Sequence, residues 1–564
     1  NSPVKVNVPA DWANAADDRT VDESLPDVVK NIVVPCNRQR GDDLPVSAFL
    51  PYQDGTYPLG TSKYDKRGIA AFLPQWDSAK CLQCNQCTFV CPHAAIRAYL
   101  VDEEEAAAAP AAFTTVPAKG AKGLQYRLQV STLDCTGCGS CAASCLAKDK
   151  ALTMQPVDDT MYDETNWNYA LSLKDKPGVF DRKTLKGSQF SQPLVEFSGA
   201  CAGCGETPYA KLITQLYGEK TYWVNGVGCS LAWAGAFPSL PYTKNKEGRG
   251  PAFYGTLFED QAENGLGVVL ATKQRRAYVK QVAQQLLPLV PGTELETAIN
   301  AWLSSFDDLD ANDADARKLT AALESASLTG EAAELAEKLL KNKDQLGKKV
   351  VWLFGGDGWA YDIGYGGLDH VMASGEDINV FVVDTEVYSN TGGQSSKATP
   401  VGASAKFADG GKKTAKKDLG RLMMTYPNVY VASVAMGANP AQLMKAVTEA
   451  VAHKGPSIVI AYAPCINHGI KAGMNNVQAE MKKAVDCGLW PLYRYDPNKT
   501  EKPFSLDYKK PSVPVEEFFN GEVRYAGLKI KYPETAAKLF AEAQVEADAR
   551  YETYVALAHS YNKD

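Results

Sequence analysis

Residues 350–359 are VVWLFGGDGW, and this stretch decides the fold of the larger part of the chain. An apolar run that ends in glycines and an aspartate is typical of a buried strand followed by a phosphate-binding turn. Helical patterns occur at residues 365–373 and 441–452. Strands that alternate with helices predict an α/β fold with a doubly wound, mainly parallel sheet. Its strands are predicted at residues 222–224, 349–354, 379–384, 428–434 and 457–463.

Residues 263–345 interrupt this alternation. They are rich in Ala, Leu, Glu and Lys, and segments such as residues 331–340 have the spacing of amphipathic helices. The pattern predicts a helical insertion packed on the sheet.

Composition limits the classes of function. The chain has 564 residues, a net charge of −7, 45% hydrophobic and 22% charged residues, which are ordinary globular values. No apolar run reaches the roughly 18 residues of a membrane span, and the first residues lack the apolar core of a signal peptide. The mildly acidic balance, with no long basic tract, argues against a nucleic acid partner.

Eight of the 14 cysteines form two runs of identical spacing. This is the spacing of bacterial ferredoxins, in which three thiolates of one run and the last thiolate of the other bind a [4Fe–4S] cluster. A lone CxxC pair would instead favour zinc. The predicted ligand sets are Cys81, Cys84, Cys87 and Cys145 for one cluster, and Cys91, Cys135, Cys138 and Cys141 for the other.

The surroundings of these runs depart from a minimal ferredoxin in two places. Residues 92–134 are longer than a compact ferredoxin requires, and they predict a surface hairpin or a helical insertion. Leu146 replaces the proline that usually follows the second run, whereas Pro92 follows the first. Cys36 and Cys487 lie outside both sets and are interpreted as ordinary thiols.

A second group of polar residues lies where two predicted strands end. Asp357 stands between two glycines, and the next strand ends in Asp384-Thr-Glu-Val-Tyr-Ser-Asn-Thr-Gly-Gly393. Mg²⁺ takes oxygen ligands from carboxylates, hydroxyls, carbonyls and phosphates. Asp357, the Thr385 side chain and the Val387 carbonyl are the candidate ligands. Alone the GGDG turn is a weak signal, but paired with this loop it indicates a thiamine-diphosphate site.

The stretches GDGWAYDIGYGGLDHV (residues 356–371) and DTEVYSNTGGQSSKATP (residues 384–400) resemble the thiamine-diphosphate domain of pyruvate:ferredoxin (flavodoxin) oxidoreductases. That family also carries a two-cluster ferredoxin domain just upstream, in the order found here. The resemblance implies a third [4Fe–4S] cluster close to the thiamine. Its implied ligands are Cys201, Cys204, Cys229 and Cys465.

The resemblance also implies an activity. The family oxidatively decarboxylates pyruvate with CoA to acetyl-CoA and CO₂, and passes electrons singly through three clusters to ferredoxin or flavodoxin. Asn390 is implied to face the substrate as well as the cofactor. The implied thiamine-diphosphate contacts are Glu206, Cys229, Gly356, Asp357, Gly358, Trp359, Thr385, Glu386, Val387, Tyr388, Ser389 and Asn390.

In this family a further N-terminal half holds the pyrimidine ring of the cofactor, binds pyruvate and takes part in CoA binding. We therefore expect this chain to act together with such a half, in a homodimer of the complete enzyme. Oxygen-labile clusters imply a cytoplasmic location. The expected domains are a connector at 1–65, a 2[4Fe–4S] ferredoxin-like domain at 66–155, and a thiamine-diphosphate domain at 156–564 with the insertion at about 263–345.

Other interpretations remain open at this point. The substrate can be 2-oxoglutarate or indolepyruvate instead of pyruvate, or the chain can be an electron-transfer module that keeps the thiamine fold only as a scaffold. His468 is interpreted as structural, with tuning of the cluster site as the alternative. Lys412, Lys413, Lys416 and Lys417 are interpreted as a solvated helix face, with docking of an acidic ferredoxin as the alternative.

Overall fold

The computed structural model describes residues 20–157, 164–235 and 238–562. The segment expected to be a connector begins among the first 19 residues, which lie outside this description. Its described part contains short helical turns and one helix, α1 (Val34–Asn37). It is tied to the rest of the chain by Gly60, whose N–H donates to the Tyr242 carbonyl at 2.6 Å.

The cysteine runs lie in two similar halves of a small α+β unit. Each run is preceded by one strand, contains a one-turn helix and is followed by another strand. The first and last strands pair antiparallel, and the others form an antiparallel sheet of three strands. The elements are β1 (Phe72–Trp76), α2 (Gln86–Phe89), β2 (Ile96–Val101), α3 (Glu103–Ala108), β3 (Val116–Pro117), β4 (Gln125–Val130), α4 (Ser140–Ala143) and β5 (Leu152–Pro156).

The segment between the runs contains both kinds of structure expected there. Strands β3 and β4 form a hairpin, and α3 begins at Asp102 with a capping box that Glu105 completes. In that box each side chain accepts the backbone N–H of the other residue, which satisfies two donors at the helix start.

Chain reversals inside each cysteine run need a left-handed backbone. Gln83 and Asn85 in the first run have φ of 62° or less, and Gly137 and Gly139 occupy the corresponding positions of the second run with φ of 69° and 76°. Non-glycine residues adopt this region only when the surroundings hold them there. Gln83 is held by the Pro117 carbonyl and the Lys119 N–H, so this half is fixed by side chains and the other half by glycine.

The next elements lead from the small unit into the large sheet. Helix α7 is buried along its whole length and begins with a proline at its first turn, where the missing N–H leaves nothing unsatisfied. The elements are α5 (Glu164–Ser172), α6 (Leu185–Ser188), α7 (Thr207–Tyr217), β6 (Thr221–Asn225), α8 (Cys229–Gly235) and β7 (Ala252–Gly255).

The predicted helical insertion is a bundle with its own core. Trp302 is fully buried in that core, and its indole N–H donates to the Leu346 carbonyl at 2.8 Å. Thr293 and Asp308 cap two of the helices through their side chains. The helices are α9 (Gln261–Leu286), α10 (Glu294–Ser304), α11 (Leu309–Ser325) and α12 (Gly330–Lys341).

The large sheet has eight strands in the order β15-β14-β12-β13-β9-β8-β6-β7. The six strands from β12 to β7 run parallel, and β14 and β15 add an antiparallel edge. The doubly wound prediction is therefore confirmed. The remaining strands are β8 (Val350–Gly356), β9 (Asn379–Asp384), β10 (Val387–Tyr388), β11 (Gln394–Ser395), β12 (Tyr430–Val434), β13 (Ser457–Tyr462), β14 (Tyr493–Tyr495) and β15 (Phe504–Leu506).

Helices cover this sheet, and the central strands are buried over their whole length. The rings of Phe354 and Phe381 stack 5.6 Å apart on neighbouring strands β8 and β9. Among the described residues, no helix has both the length and the apolar character to cross a bilayer. The remaining helices are α13 (Tyr365–Ala373), α14 (Leu419–Met423), α15 (Pro440–Ala452), α16 (Val477–Asp486), α17 (Val515–Phe519), α18 (Val523–Lys531) and α19 (Pro533–Tyr561).

Candidate cofactor and iron–sulfur site

The three oxygen donors predicted to hold Mg²⁺ meet at the carboxyl ends of β8 and β9. Thr385 Oγ1 lies 3.0 Å from Asp357 Oδ1 and 3.0 Å from the Val387 carbonyl oxygen. The Thr385 backbone N–H also donates to Asp357 Oδ1, at 3.2 Å. A carboxylate, a hydroxyl and a carbonyl in one place are suitable ligands for a hard divalent cation. The residues present therefore fit Mg²⁺.

Ser396 completes this group, although no sequence motif pointed to it. Its hydroxyl donates to Asp357 Oδ2 at 2.6 Å, so both oxygens of the carboxylate are held. Burial, with the charge of Asp384 next, raises the pKa of Asp357 to about 8. A divalent cation among these oxygens would favour the ionised carboxylate instead.

Of the two glycines that flank Asp357, Gly358 is closely packed and Gly356 has open space beside it. A Cβ on Gly358 would lie 2.4 Å from the Tyr388 ring, so close packing requires glycine there. A Cβ on Gly356 would meet nothing closer than the Val383 carbonyl oxygen at 4.0 Å. This leaves an open cradle beside Asp357, at the start of the helical turn Gly358–Ile363. Backbone N–H groups at such a position attract phosphate.

Glu386 faces away from this cradle. Its φ is 60°, and its carboxylate accepts from Arg524 Nη2 at 2.7 Å and from Lys416 Nζ at 3.3 Å. Burial acts to raise the pKa of Glu386, but the charges of Lys416 and Arg524 outweigh it and hold the pKa at about 2. Both carboxylate oxygens of Glu386 are thus engaged by cations, and its predicted contact with the cofactor stays a prediction.

The loop after β9 reaches from the magnesium ligands to two of the cysteines implied to bind the third cluster. The Ser389 hydroxyl donates to Cys229 Sγ at 3.2 Å. Asn467 Nδ2 lies 3.3 Å from the Ser389 carbonyl oxygen and 3.6 Å from Cys465 Sγ. Asn390, the residue expected to face substrate, is exposed at the tip of this loop.

The four cysteines of this set come from three separate segments of the chain and approach one another. Burial raises the pKa of the Cys229 thiol, and the charges of Cys465 and Cys204 add to the effect. Burial likewise raises the pKa of Cys465 to about 11, with Cys201 among its charged neighbours. Iron must replace these protons when it binds, because only the thiolate is a ligand.

Glu206 lies beside this set, directly before α7. Its carboxylate accepts from the Trp233 indole N–H at 2.9 Å, and burial raises its pKa to about 7. The charge of Glu206 acts on Cys204, Cys229 and Cys465, so it is near all three. The contact of Glu206 with thiamine diphosphate, which the resemblance implies, stays a prediction.

The two ferredoxin-type sets also come together as the spacing predicts. The charges of Cys81, Cys84 and Cys145 add to the effect of burial in raising the pKa of Cys87. In the other set, Cys138, Cys91 and Cys135 do the same for Cys141. In both runs the first thiol accepts a backbone N–H two residues on, Gln83 to Cys81 and Gly137 to Cys135, at 3.4 Å each.

The second ferredoxin-type set touches the segment that carries Cys201 and Cys204. The Gly203 backbone N–H, which lies between these two cysteines, donates to the Cys138 sulfur. His93, two residues after Cys91, has its Nε2 2.9 Å from the Ala200 carbonyl oxygen. The set of Cys91, Cys135, Cys138 and Cys141 therefore lies between the other two.

Within residues 20–157, 164–235 and 238–562, no three His, Cys, Asp or Glu side chains form a compact ligand group for a single metal ion. A cubane differs from such a site, since each cysteine binds a different iron at a corner of the cluster.

The interpretation of the lysine run as a solvated helix face is wrong, because the run is not helical and two of its side chains are largely turned inward. The alternative, docking of an acidic ferredoxin, stays a prediction. Lys416 Nζ lies 2.7 Å from Asp384 Oδ2, and its side chain is 11% exposed. Lys412 Nζ lies 3.0 Å from the Ser396 carbonyl oxygen. The neutralising role of Lys416 depends on contacts between distant segments, so charge pattern alone could not reveal it.

His468 contacts the backbone of the loop that follows β9. It is fully buried, and its Nε2 lies 2.7 Å from the Thr385 carbonyl oxygen. Its Nδ1 lies 3.5 Å from Glu522 Oε1. His468 therefore supports the backbone of a predicted magnesium ligand, which fits the structural role.

Three family models match the chain. Residues 330–461 match the "Thiamine pyrophosphate enzyme, C-terminal TPP binding domain", and residues 73–96 match the "4Fe-4S binding domain". Residues 15–70 match EKR, a "Domain of unknown function". Together with the geometry, these matches define the class: a thiamine-diphosphate-binding α/β domain joined to a [4Fe–4S] domain.

Curated relatives make this class more specific. The chain is 52% identical to the pyruvate:ferredoxin oxidoreductase of Moorella thermoacetica, covering 98% of this chain and 48% of that protein. It is 50% identical to the pyruvate-flavodoxin oxidoreductase of Klebsiella pneumoniae, covering 98% and 47%. The chain is thus homologous to the C-terminal portion of pyruvate:ferredoxin (flavodoxin) oxidoreductases. It spans about half the length of the curated relatives it matches.

Among solved structures, a 2-oxoglutarate:ferredoxin oxidoreductase from Magnetococcus marinus matches with a TM-score of 0.29 and 17% identity, covering 48% of this chain and 65% of that one. A similarity this low carries no argument about the fold.

Proposed function

We propose that this chain is the thiamine-binding and electron-relay part of an enzyme that oxidatively decarboxylates pyruvate with CoA. Acetyl-CoA and CO₂ are the products, and the electrons pass singly through three [4Fe–4S] clusters to ferredoxin or flavodoxin. Support comes from relatives named for this activity that are half identical to the chain over 98% of its length.

The observation that carries the proposal is the loop of residues 385–390, which serves two sites at once. At one end Thr385 joins Asp357 and Val387 in the magnesium donor set. At the other end Ser389 donates to the sulfur of Cys229, a ligand proposed for the nearest cluster. One-electron transfer requires a carrier close to the cofactor. Because the loop contacts both the magnesium donor set and Cys229, it supports a short distance between the proposed cofactor and the nearest proposed cluster.

When bound, thiamine diphosphate supplies the electron sink for loss of CO₂. The chain's own residues would bind and orient this cofactor. Asp357, Thr385 and Val387 would hold the magnesium ion, and the open space at Gly356 would leave room for the diphosphate. Lys416 and Arg524 neutralise the carboxylates behind the loop, so the loop keeps its shape.

The proposed relay follows the order of the cysteine sets. Cys201, Cys204, Cys229 and Cys465 would hold the cluster nearest the cofactor. The set that contains Cys138 would hold the next one-electron carrier, since Gly203, between Cys201 and Cys204, donates to the Cys138 sulfur. Electrons would then reach the set that contains Cys81, since the two runs exchange their last cysteines. The proposed relay ends at the set of Cys81, Cys84, Cys87 and Cys145.

The remaining parts of the proposal concern organisation. We assign residues 66–155 to the two-cluster domain, 156–564 to the thiamine-diphosphate domain, and 1–65 to a connector. A further half supplies pyruvate and CoA binding, and the complete enzyme is a cytoplasmic homodimer. The half-length coverage of the relatives supports a further half.

A related 2-oxoacid, 2-oxoglutarate or indolepyruvate, is the second candidate substrate. The residues that select the acid lie outside this chain in the proposal, so substrate choice belongs to the complete enzyme. Relatives named for pyruvate favour pyruvate.

Anaerobic purification with iron and sulfide assays tests the cluster part of the proposal. Three cubanes contain about twelve irons per chain, and a count near eight would remove the cluster beside the thiamine. Thiamine diphosphate with Mg²⁺ is then titrated into the chain. Absence of binding would favour the electron-transfer module that keeps the fold only as a scaffold.

Turnover is tested with pyruvate, CoA and a viologen dye, with and without the missing half. The chain alone should contain the clusters but oxidise negligible pyruvate, and the joined halves should turn over. Full turnover by the chain alone would refute the need for a second half. Replacing pyruvate with 2-oxoglutarate or indolepyruvate decides between the substrates.

A further inference from the structure

A buried lysine of the thiamine-binding part reaches into the ferredoxin-like unit. Lys211 lies on α7 and is 3% exposed, and its Nζ donates to the Thr88 carbonyl. Among the residues that the structure describes, no acid forms an ion pair with Lys211. Lysines are almost never buried in this way unless a negative group compensates the charge.

The Thr88 carbonyl places this ammonium group between two proposed cluster ligands. Thr88 follows Cys87, which belongs to the first ferredoxin-type set. Its carbonyl also accepts the backbone N–H of Cys91, a member of the second set, at 3.3 Å. Since Lys211 and the Cys91 amide share one acceptor oxygen, the positive charge lies close to both sets.

The hydrogen bond alone does not explain a lysine at this position. Thr88 lies in the one-turn helix α2, whose last carbonyls lack partners within the helix, and Lys211 binds one of them. A neutral donor could bind the same oxygen without the cost of burying a charge. The positive charge therefore requires a reason of its own.

A neighbouring buried cation shows how the fold balances such a charge. Arg97 is 7% exposed, and its guanidinium group is paired with the Glu196 carboxylate. Burial lowers the pKa of Lys211 to about 8, whereas the charges of Cys91 and Cys87 act in the opposite direction. Clusters bound at these cysteines would supply the negative charge that Lys211 lacks.

We propose that the Lys211 ammonium group raises the reduction potentials of both ferredoxin-type clusters, and so favours electron flow away from the thiamine. This inference rests on the proposed function, since it requires clusters at the sets of Cys87 and Cys91. Reduction adds one electron to a cluster, and hence one negative charge. A cation nearby in a protein interior stabilises the reduced form more than the oxidised form.

The test is a redox titration of the complete enzyme, including its other half, followed by electron paramagnetic resonance. Lys211→Met removes the charge and keeps a side chain of similar length. We expect two of the three midpoint potentials to fall, each by about 59 mV, which is a tenfold weaker reduction equilibrium for a one-electron couple. Iron should stay at about twelve per enzyme chain. The melting temperature should not fall, because a buried charge is costly.

Three further variants separate charge from packing. Lys211→Arg keeps a cation and should keep potentials close to those of the wild type. Lys211→Gln keeps a donor without the charge, so it should behave like Lys211→Met. Lys220→Met is the matched control, because Lys220 is also buried, follows the same helix and is paired with Asp310 at 2.9 Å. It should leave all three potentials unchanged.

Several outcomes would overturn the inference. These are unchanged potentials in Lys211→Met with its iron retained, wild-type potentials in Lys211→Gln, or an equal fall in Lys220→Met. A lower melting temperature with unchanged potentials would show that Lys211 only joins α7 to the small unit. Failure of the proposed function is distinguishable, because pyruvate and CoA would then not reduce the wild-type clusters, whereas dithionite would still titrate them.

Discussion

The ferredoxin-like unit and the eight-stranded sheet are stabilised in different ways. The sheet has a fully buried strand at Asn379–Asp384 beside Val350–Gly356, which is buried up to its last residue, and aromatic rings of the two strands stack. The core of the small unit is smaller, and two of the proposed cluster ligands, Cys91 and Cys141, are part of it. Since iron–thiolate bonds replace a missing core in small domains, we expect the first region to need its clusters to fold and the second region to fold without them.

Removal of iron should give the largest contrast between the two regions. Without iron the buried thiols of the small unit stay protonated, and the iron–thiolate bonds that join its two cysteine runs are lost. We expect backbone amides of β2 and β4 to exchange rapidly with deuterium after chelation, whereas those of β8 stay protected. Hydrogen exchange with mass spectrometry measures both in one sample. Equal protection of β2, β4 and β8 after complete iron loss would contradict the comparison.

Loss of a single ligand should be the next largest effect. Cys138→Ser removes a thiolate of the middle cluster, and iron should fall from about twelve to about eight per chain. Cys487→Ser is the matched control, because Cys487 is buried but lies in no proposed ligand set. Iron and sulfide assays with cluster spectra measure the change. Equal iron loss in both variants would mean that destabilisation, not ligation, is the cause.

In the sheet region a cofactor ligand should affect binding and not folding. Asp357→Asn removes the carboxylate charge, so the affinity for Mg²⁺ and thiamine diphosphate should fall by about 100-fold or more. The melting temperature without cofactor should change little, since burial raises the pKa of Asp357 to about 8 and favours the neutral carboxyl group when no cation is bound. Calorimetric titration and thermal melts measure the two quantities. Asp362→Asn, at an acid that pairs with Lys397, is the control and should leave affinity nearly unchanged.

The smallest effect is expected where the insertion meets the sheet. Asp313 binds Arg249 at 2.6 Å and Arg317 at 3.0 Å. Burial acts to raise the pKa of Asp313, but these two arginines, with Lys220, outweigh it and lower it to about 2. The carboxylate therefore stabilises the fold above about pH 4, and this contribution is lost as the pH falls towards 2.

Asp313→Asn should accordingly reduce the free energy of unfolding by about 1 kcal/mol near pH 6, and by much less near pH 2. Urea unfolding followed by tryptophan fluorescence at both pH values measures this difference. Asp315→Asn, at the neighbouring acid that pairs with Lys318, should give a smaller change. A loss that is the same at both pH values would exclude the ion pairs as its cause.

The predictable features were those encoded by short spacings. The strand predicted at 379–384 is β9 with the same bounds, and the helix predicted at 365–373 is α13 with the same bounds. Local apolar periodicity suffices for such elements. The meeting of Asp357, Thr385 and Val387, the proposed magnesium donors, was also predictable, because parallel strands bring their carboxyl ends to one edge.

Other residues could not be predicted because their partners are distant in the chain. Ser396 reaches Asp357 across 39 residues, and Arg524 reaches Glu386 across 138. The lysine run shows the same limit, since Lys416 is a buried neutralising charge. A charge pattern contains no information about which side chains turn inward.

By itself, the sequence determined the α/β class, the two cysteine runs of ferredoxin-type spacing and the strand-end turn with Asp357, because each depends on residues at fixed short spacing. Only the tertiary structure decided that the loop of Thr385 and Ser389 joins the magnesium donors to Cys229, and that Gly203 contacts Cys138. Only the structure also brought Lys211 to the Thr88 carbonyl, between Cys87 and Cys91. These contacts join segments far apart in the chain, and their positions are set by packing of the whole fold.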